Sequence, residues 1–337
     1  MYFNVHVRLK PHIIVFVIMW LITNILTIYF LFLGVRNTDE YQGLRYLVQT
    51  AYVLSLIWFL KKSGSSLSLL PEIKPCLFPR WRYGKIIPVV FVIILLFLNI
   101  LTDQVDSMVL LILVITTLLI LILWRKEVNF RMIVTGILIG IIAFCAGLPF
   151  MKNGMLSKTA FIFFSALIPF LFVAGWLVLQ RTRLGGIQLA GGNYMKALKS
   201  FIFGCLLFIP LGLLNAAEGS PGLNITWADE FWMPVTLPLF SGIAEETRYR
   251  LLLIGLCYYL LRPAFKKYPA IAVGIAVIFS TVTFGLGHGW NIERLLTTGL
   301  LYGLPMSVIF VKRDWEHAVG AHYMINLIPW IIVFSGN

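Results

Sequence analysis

Six consecutive residues, Glu245-Glu246-Thr247-Arg248-Tyr249-Arg250, put four charged side chains inside an apolar stretch running from about Phe231 to Leu261. One ionised side chain at bilayer depth costs about 2.5–3.5 kcal/mol on insertion scales. A helix carrying four of them must pair them with one another or turn them toward a wet cavity. Glu246 and Arg250 are one turn apart, with the carboxylate N-terminal to the cation, which is the favourable order on one helical face. Glu245 lies about 100° further round, with Tyr249 above it and Arg248 within reach. Two readings follow: a neutral salt-bridge cluster that locks helices together, or a site in which Glu245 is a general base. Pro234 and Pro238 precede the cluster, so the helix is expected to kink or start afresh there.

The surroundings of that cluster make the bilayer argument. The chain is 60% hydrophobic, 12% charged and has a mean hydropathy of +0.91 over 337 residues. A soluble domain could not hide so much apolar surface. Apolar runs of spanning length recur, and the expected fold is an all-α polytopic transmembrane bundle of about eleven spans. They are read at 13–35, 44–60, 86–102, 107–124, 132–150, 159–180, 199–215, 231–261, 270–288, 293–311 and 316–335. The first run follows Arg8 and Lys10 and is too long for a signal-peptide core, so it reads as an uncleaved span.

The net charge of +13 reflects topology, not nucleic-acid binding. With the N-terminus inside, most Lys and Arg fall in inner segments, including Lys61, Lys62, Lys74, Arg80, Arg82, Lys85, Arg181, Arg183, Lys196 and Lys199. The segment with Glu218, Asp229 and Glu230 falls outside, so a cytoplasmic N-terminus in a cell membrane is expected. The cysteines (Cys76, Cys145, Cys205, Cys257) form no CxxC or Cys/His cluster. Asn224-Ile225-Thr226 fits a glycosylation sequon without further support. Gly, Pro and ionisable residues become commoner within spans after about residue 150. Residues 1–155 therefore read as an N-terminal helical region for anchoring or partner binding, and 156–337 as the functional core.

Two further pairs share that core. Phe284 and His288 end a Gly-rich stretch. His322 and Asn326 lie one turn apart in the last span. Alone, His288 reads as an interfacial residue, and His322/Asn326 as an interhelical hydrogen bond. Together with two carboxylates they are what intramembrane hydrolysis requires: a base to take a proton from water, an imidazole to orient it, and donors for an oxyanion. One conflict stands out. Straight spans would separate His288 and His322 by very roughly 15 Å in depth, so some helix near the Pro-rich start of 231–261 or near Gly285–Gly287 is expected to be broken, tilted or re-entrant.

In this order, Glu245-Glu246-xxx-Arg250, Phe284-xxx-His288 and His322-xxx-Asn326 resemble the CAAX-protease and bacteriocin-processing membrane endopeptidases, the CPBP or ABI family. The resemblance covers roughly residues 159–337. It implies that Glu245 activates water, that Glu246 is the second glutamate, that His288 assists the water, and that His322 and Asn326 serve the oxyanion. Arg250 and Phe284 are supporting residues. It also implies a membrane-associated peptide or protein substrate, with roles ranging from CAAX trimming to peptide maturation and bacteriocin immunity. A glutamate mechanism without cofactor is expected. Zinc on Glu245, His288 and His322 is the alternative, although HExxH-type spacing is absent. The competing functions are a catalytically idle membrane regulator or immunity scaffold of the same family, and a transporter, for which no matching pair of broken helices appears. Oligomeric state and natural substrate are not readable.

Overall fold

A computed structural model describes residues 10–32, 39–63, 105–152, 157–217 and 230–335. Among these residues the chain is helical throughout, with no strand. We label the long helices α1 (Pro11–Phe32), α2 (Asp39–Ser63), α3 (Val105–Leu123), α4 (Phe130–Lys152), α5 (Lys158–Thr182) and α6 (Tyr194–Ala217). Then α7 joins Trp232–Glu245, a π-helical stretch Glu246–Ile254, and Gly255–Leu261. Helix α8 spans Pro269–Gly287. Helix α9 joins Ile292–Arg294, a second π-helical stretch Leu295–Gly303, and Leu304–Lys312. Helix α10 spans Trp315–Ser335. The expected span 86–102, Cys76, the basic residues Lys74, Arg80, Arg82 and Lys85, and the sequon lie outside the described residues.

Seven of the described helices are long and apolar enough to cross a membrane, α1, α2, α4, α5, α6, α8 and α9. The protein is a multi-pass membrane protein. The expected eleven spans are not reached by that measure. The helix Val109–Leu123 is short, and α7 and α10 are diluted by the charged, histidine and asparagine side chains that make them interesting. Helix α1 shows the bilayer logic: Ile14, Ile18, Leu21 and Ile25 are exposed while Thr23, Asn24 and Thr27 are buried. Apolar groups face outward because hydrocarbon solvates them, and polar groups turn inward, where the Thr27 hydroxyl donates to the Thr23 carbonyl at 2.7 Å.

The core of the site side is the parallel pair α6 and α10. Their backbones touch. A Cβ on Gly320 would lie 2.0 Å from the Phe201 carbonyl oxygen, and one on Gly204 would lie 2.2 Å from that of His317. Small residues let membrane helices approach in this way, where dispersion has to replace the hydrophobic effect. The start of α10 is also stapled to the loop between α5 and α6. The Glu316 carboxylate accepts from the backbone N–H groups of Gln188 (3.0 Å) and Leu189 (2.8 Å). Asp314 accepts from Gln188 Nε2 at 2.8 Å and from His317 Nδ1 at 2.6 Å. His317 is thus part of this staple.

Neither Phe201 nor His317 can move its carbonyl aside without unwinding its helix. Gly320→Ala is therefore expected to destabilise the protein by ~1–3 kcal/mol, read as a fall of several degrees in the thermal unfolding midpoint in detergent. An unchanged midpoint would mean that α6 and α10 are not in backbone contact.

Candidate active site

The first fact about the site is burial. Glu246 and Arg250 are both fully buried, and Arg250 is the largest fully buried side chain. Their ion pair, Arg250 Nη1 to Glu246 Oε1 at 3.2 Å, is the one-turn pair that the sequence promised. The guanidinium has further partners. Its Nη2 donates to the Gly303 carbonyl at 3.2 Å, and its plane sits 4.2 Å above the Phe284 ring. Gly303 closes the π-helical stretch of α9, where a Cβ would fall 2.9 Å from Phe284. A larger residue would push the ring away from the cation. π-Helical winding is rare and concentrates at functional sites, and here both stretches border this arginine.

The same Glu246 oxygen lies 2.7 Å from His322 Nδ1. A buried carboxylate that also pairs an arginine is an acceptor, so Nδ1 of His322 carries the proton and donates. His288 is held in the same way. Its Nδ1 is 2.8 Å from the carbonyl oxygen of Phe284, which can only accept. In both rings Nδ1 is thereby committed and Nε2 is left to face the third group. That group is Glu245: its Oε2 lies 3.6 Å from His288 Nε2 and 3.9 Å from His322 Nε2. These separations exceed a direct hydrogen bond and suit one bridging water. The Glu245 side chain is 20% exposed and His288 38%, against 0% for Glu246. The site therefore opens on the Glu245–His288 side, over a sealed Glu246–Arg250 floor.

Asn326 follows His322 by one turn of α10, and its Nδ2 donates to Ser241 Oγ at 3.2 Å. Ser241 in turn donates to the Pro238 carbonyl at 3.1 Å. Six of the seven sequence-predicted residues are thus linked by contacts across α7, α8 and α10, and Asn326 is tied to α7 one turn before Glu245 through Ser241. His288 and His322 both come within 4 Å of Glu245, and α7 is continuous from Trp232 to Leu261, with Pro238 inside it and π winding from Glu246. Among the described residues, no group of three or more His, Cys, Asp or Glu side chains is arranged to hold a metal ion.

Sequence reasoning missed Ser241, Gly303 and the Phe284 carbonyl. Ser241 carried a signal, being one turn before Glu245 on the same helical face. The other two act through main-chain atoms, which a side-chain motif does not reveal.

Residues 227–328 match the family described as type II CAAX prenyl endopeptidase, Rce1-like. This part of the chain is similar to the CAAX-protease family. The matched segment holds every residue of the three motifs, so the resemblance drawn from them is borne out there. Helices α1 to α6 lie outside the CAAX-protease match. No curated protein and no solved structure matches the chain.

Removing the guanidinium would leave a buried carboxylate shared only with His322. Arg250→Met is expected to destabilise the fold by about 3–5 kcal/mol, the usual result of breaking a buried pair from one side. Arg250→Lys is expected to rescue it only partly, lacking the planar fork and the ring stacking. Yield and thermal midpoint in detergent read both variants, and wild-type stability of Arg250→Met would contradict the pairing.

Proposed function

We propose that the protein is an intramembrane endopeptidase of the glutamate type, hydrolysing a peptide bond of a membrane-associated peptide or protein. The observation that carries this reading is Glu245 Oε2 facing two imidazole Nε2 atoms at 3.6 and 3.9 Å, with both rings held by their other nitrogen. A water between these groups donates one proton toward Glu245 and is oriented by His288 Nε2. As its oxygen attacks the scissile carbonyl carbon, the proton passes to Glu245. The developing oxyanion receives hydrogen bonds from the Asn326 amide and from His322 when its Nε2 is protonated, Glu246 supplying the countercharge. Collapse breaks the C–N bond, and the proton on Glu245 passes to the leaving amine. No acyl-enzyme forms, and no metal is needed at any step.

The family match over residues 227–328 and the apolar setting support a peptide delivered from the bilayer as substrate, with a prenylated CAAX-type terminus as the first candidate and peptide maturation or bacteriocin immunity as the wider context. The concentration of basic residues on alternate segments supports a cytoplasmic N-terminus in a cell membrane.

The test compares membrane peptides, by mass spectrometry, from cells carrying wild type and Glu245→Gln at matched expression and thermal stability. Loss of general-base catalysis is expected to lower product formation by about 10²–10⁴-fold. Activity of the purified wild type is expected to survive EDTA and 1,10-phenanthroline unchanged. Wild-type product levels from Glu245→Gln would refute the endopeptidase reading, and loss of activity on chelation would overturn the metal-free mechanism.

A further inference from the structure

Helices α6 and α10 each contain a proline, Pro210 and Pro329. A proline inside a helix has no N–H, so the carbonyl four residues earlier loses its main-chain partner. The carbonyls concerned are those of Leu206 and Ile325. Both are taken by side chains from neighbouring helices. Trp20 Nε1 of α1 donates to Leu206 O at 3.0 Å, and Asn215 Nδ2 of α6 donates to Ile325 O at 3.0 Å. Beside the first, the Tyr52 hydroxyl of α2 donates to Leu207 O.

The second of these ties lies next to the chemistry. Ile325 directly precedes Asn326, and Pro329 follows it within one turn. The turn bearing Asn326 is therefore the one at which α10 lacks a main-chain hydrogen bond. In hydrocarbon no water is at hand to satisfy the Ile325 carbonyl. Without Asn215 the helix would have to shift to find another donor. The first half of α10 has no such freedom, since Gly320 and His317 are in backbone contact with α6. The Asn326 turn packs on Gly212 of α6 through the Met324 carbonyl and the Ile328 side chain, and adds the Asn215 hydrogen bond to that contact. Asn215 itself rides on α6, whose own proline bend is tied by Trp20 and Tyr52.

We propose that Asn215 is a positioning residue that sets where Asn326 stands over the Glu245–His288–His322 group, and that Trp20 gives the N-terminal helices the same task one helix removed. This rests on the endopeptidase reading. The N-terminal helices, unassigned by the motifs, are then part of the device that aims the oxyanion donor.

A suppressor experiment tests it, because alanine at a proline position restores the missing N–H. The full chain in liposomes is assayed with a fluorogenic peptide carrying an S-farnesylated CAAX terminus. Amide hydrogen exchange across residues 323–332 is followed in parallel. Asn215→Leu, close in volume but without a donor, is expected to lower kcat about 10- to 100-fold with KM within about twofold, and to speed exchange in that segment. Adding Pro329→Ala is expected to return both readouts to near wild type. Trp20→Phe with and without Pro210→Ala is expected to show the same pattern with a smaller amplitude. If Asn215→Leu does not fold, the double variant is compared with Pro329→Ala alone, and equal kcat and exchange are expected. Unchanged kcat and exchange in Asn215→Leu, or no recovery on adding Pro329→Ala, would overturn the proposal. A Glu245→Gln enzyme run alongside separates the failures. If it still cuts the peptide at the wild-type rate, the glutamate mechanism at Glu245 falls. If it is dead while Asn215→Leu stays fully active, only the positioning role falls.

Discussion

One oxygen atom, Oε1 of Glu246, forms an ion pair with an arginine and accepts from a histidine in a place that water does not reach. Much of the catalytic side of the protein follows from that arrangement. A fully buried carboxylate is unfavourable unless every partner is in place, and the Coulomb gain of a single ion pair roughly cancels its desolvation. The Glu246 site is made tolerable by multiplication. Arg250 is held by Gly303 and by the Phe284 ring as well as by the carboxylate, and His322 brings a second donor from α10. Such a network adds little net stability, but it permits few alternative arrangements of α7, α8, α9 and α10.

The consequence for chemistry is a division of labour between adjacent glutamates. Glu246 faces inward and fixes the tautomer of His322. Glu245, about 100° round the helix, faces the more accessible side and is left to two Nε2 atoms. Phe284 serves both layers, its ring under the guanidinium and its carbonyl on His288 Nδ1. In the proposed mechanism, the buried anchoring pair and a Glu245 side chain that is partly exposed, with Oε2 turned toward the two rings, give the reaction preorganised partners.

Much of this was legible in the sequence. Ten of the eleven apolar runs recur as helices within a few residues of their expected limits, and 86–102 lies outside the described residues. Helical periodicity alone brought Glu246 to Arg250, Phe284 to His288 and His322 to Asn326, because each is a one-turn relation that survives in any helix. What periodicity could not give was contact between helices far apart in the chain: Glu246 with His322, Asn326 with Ser241, Asn215 with Ile325. The depth argument took straight α-helices standing across the bilayer as its starting point, and it could not show the π winding of α7 and α9 beside the site. Main-chain acceptors such as the carbonyls of Phe284, Gly303 and Ile325 leave no residue-type signal. They appear only when a proline or a neighbouring donor is placed in space.

The central claim is that each histidine is committed through Nδ1 so that Nε2 faces Glu245. Nitrogen-15 magnetic resonance of the histidine-labelled protein in lipid reads this directly. The account predicts a proton on Nδ1 of both His288 and His322 wherever the protein is folded, opposite to the tautomer that a free neutral imidazole favours. Glu246→Gln should perturb the His322 signal and leave His288 unchanged. An unprotonated Nδ1 on either ring in the wild-type protein would contradict it.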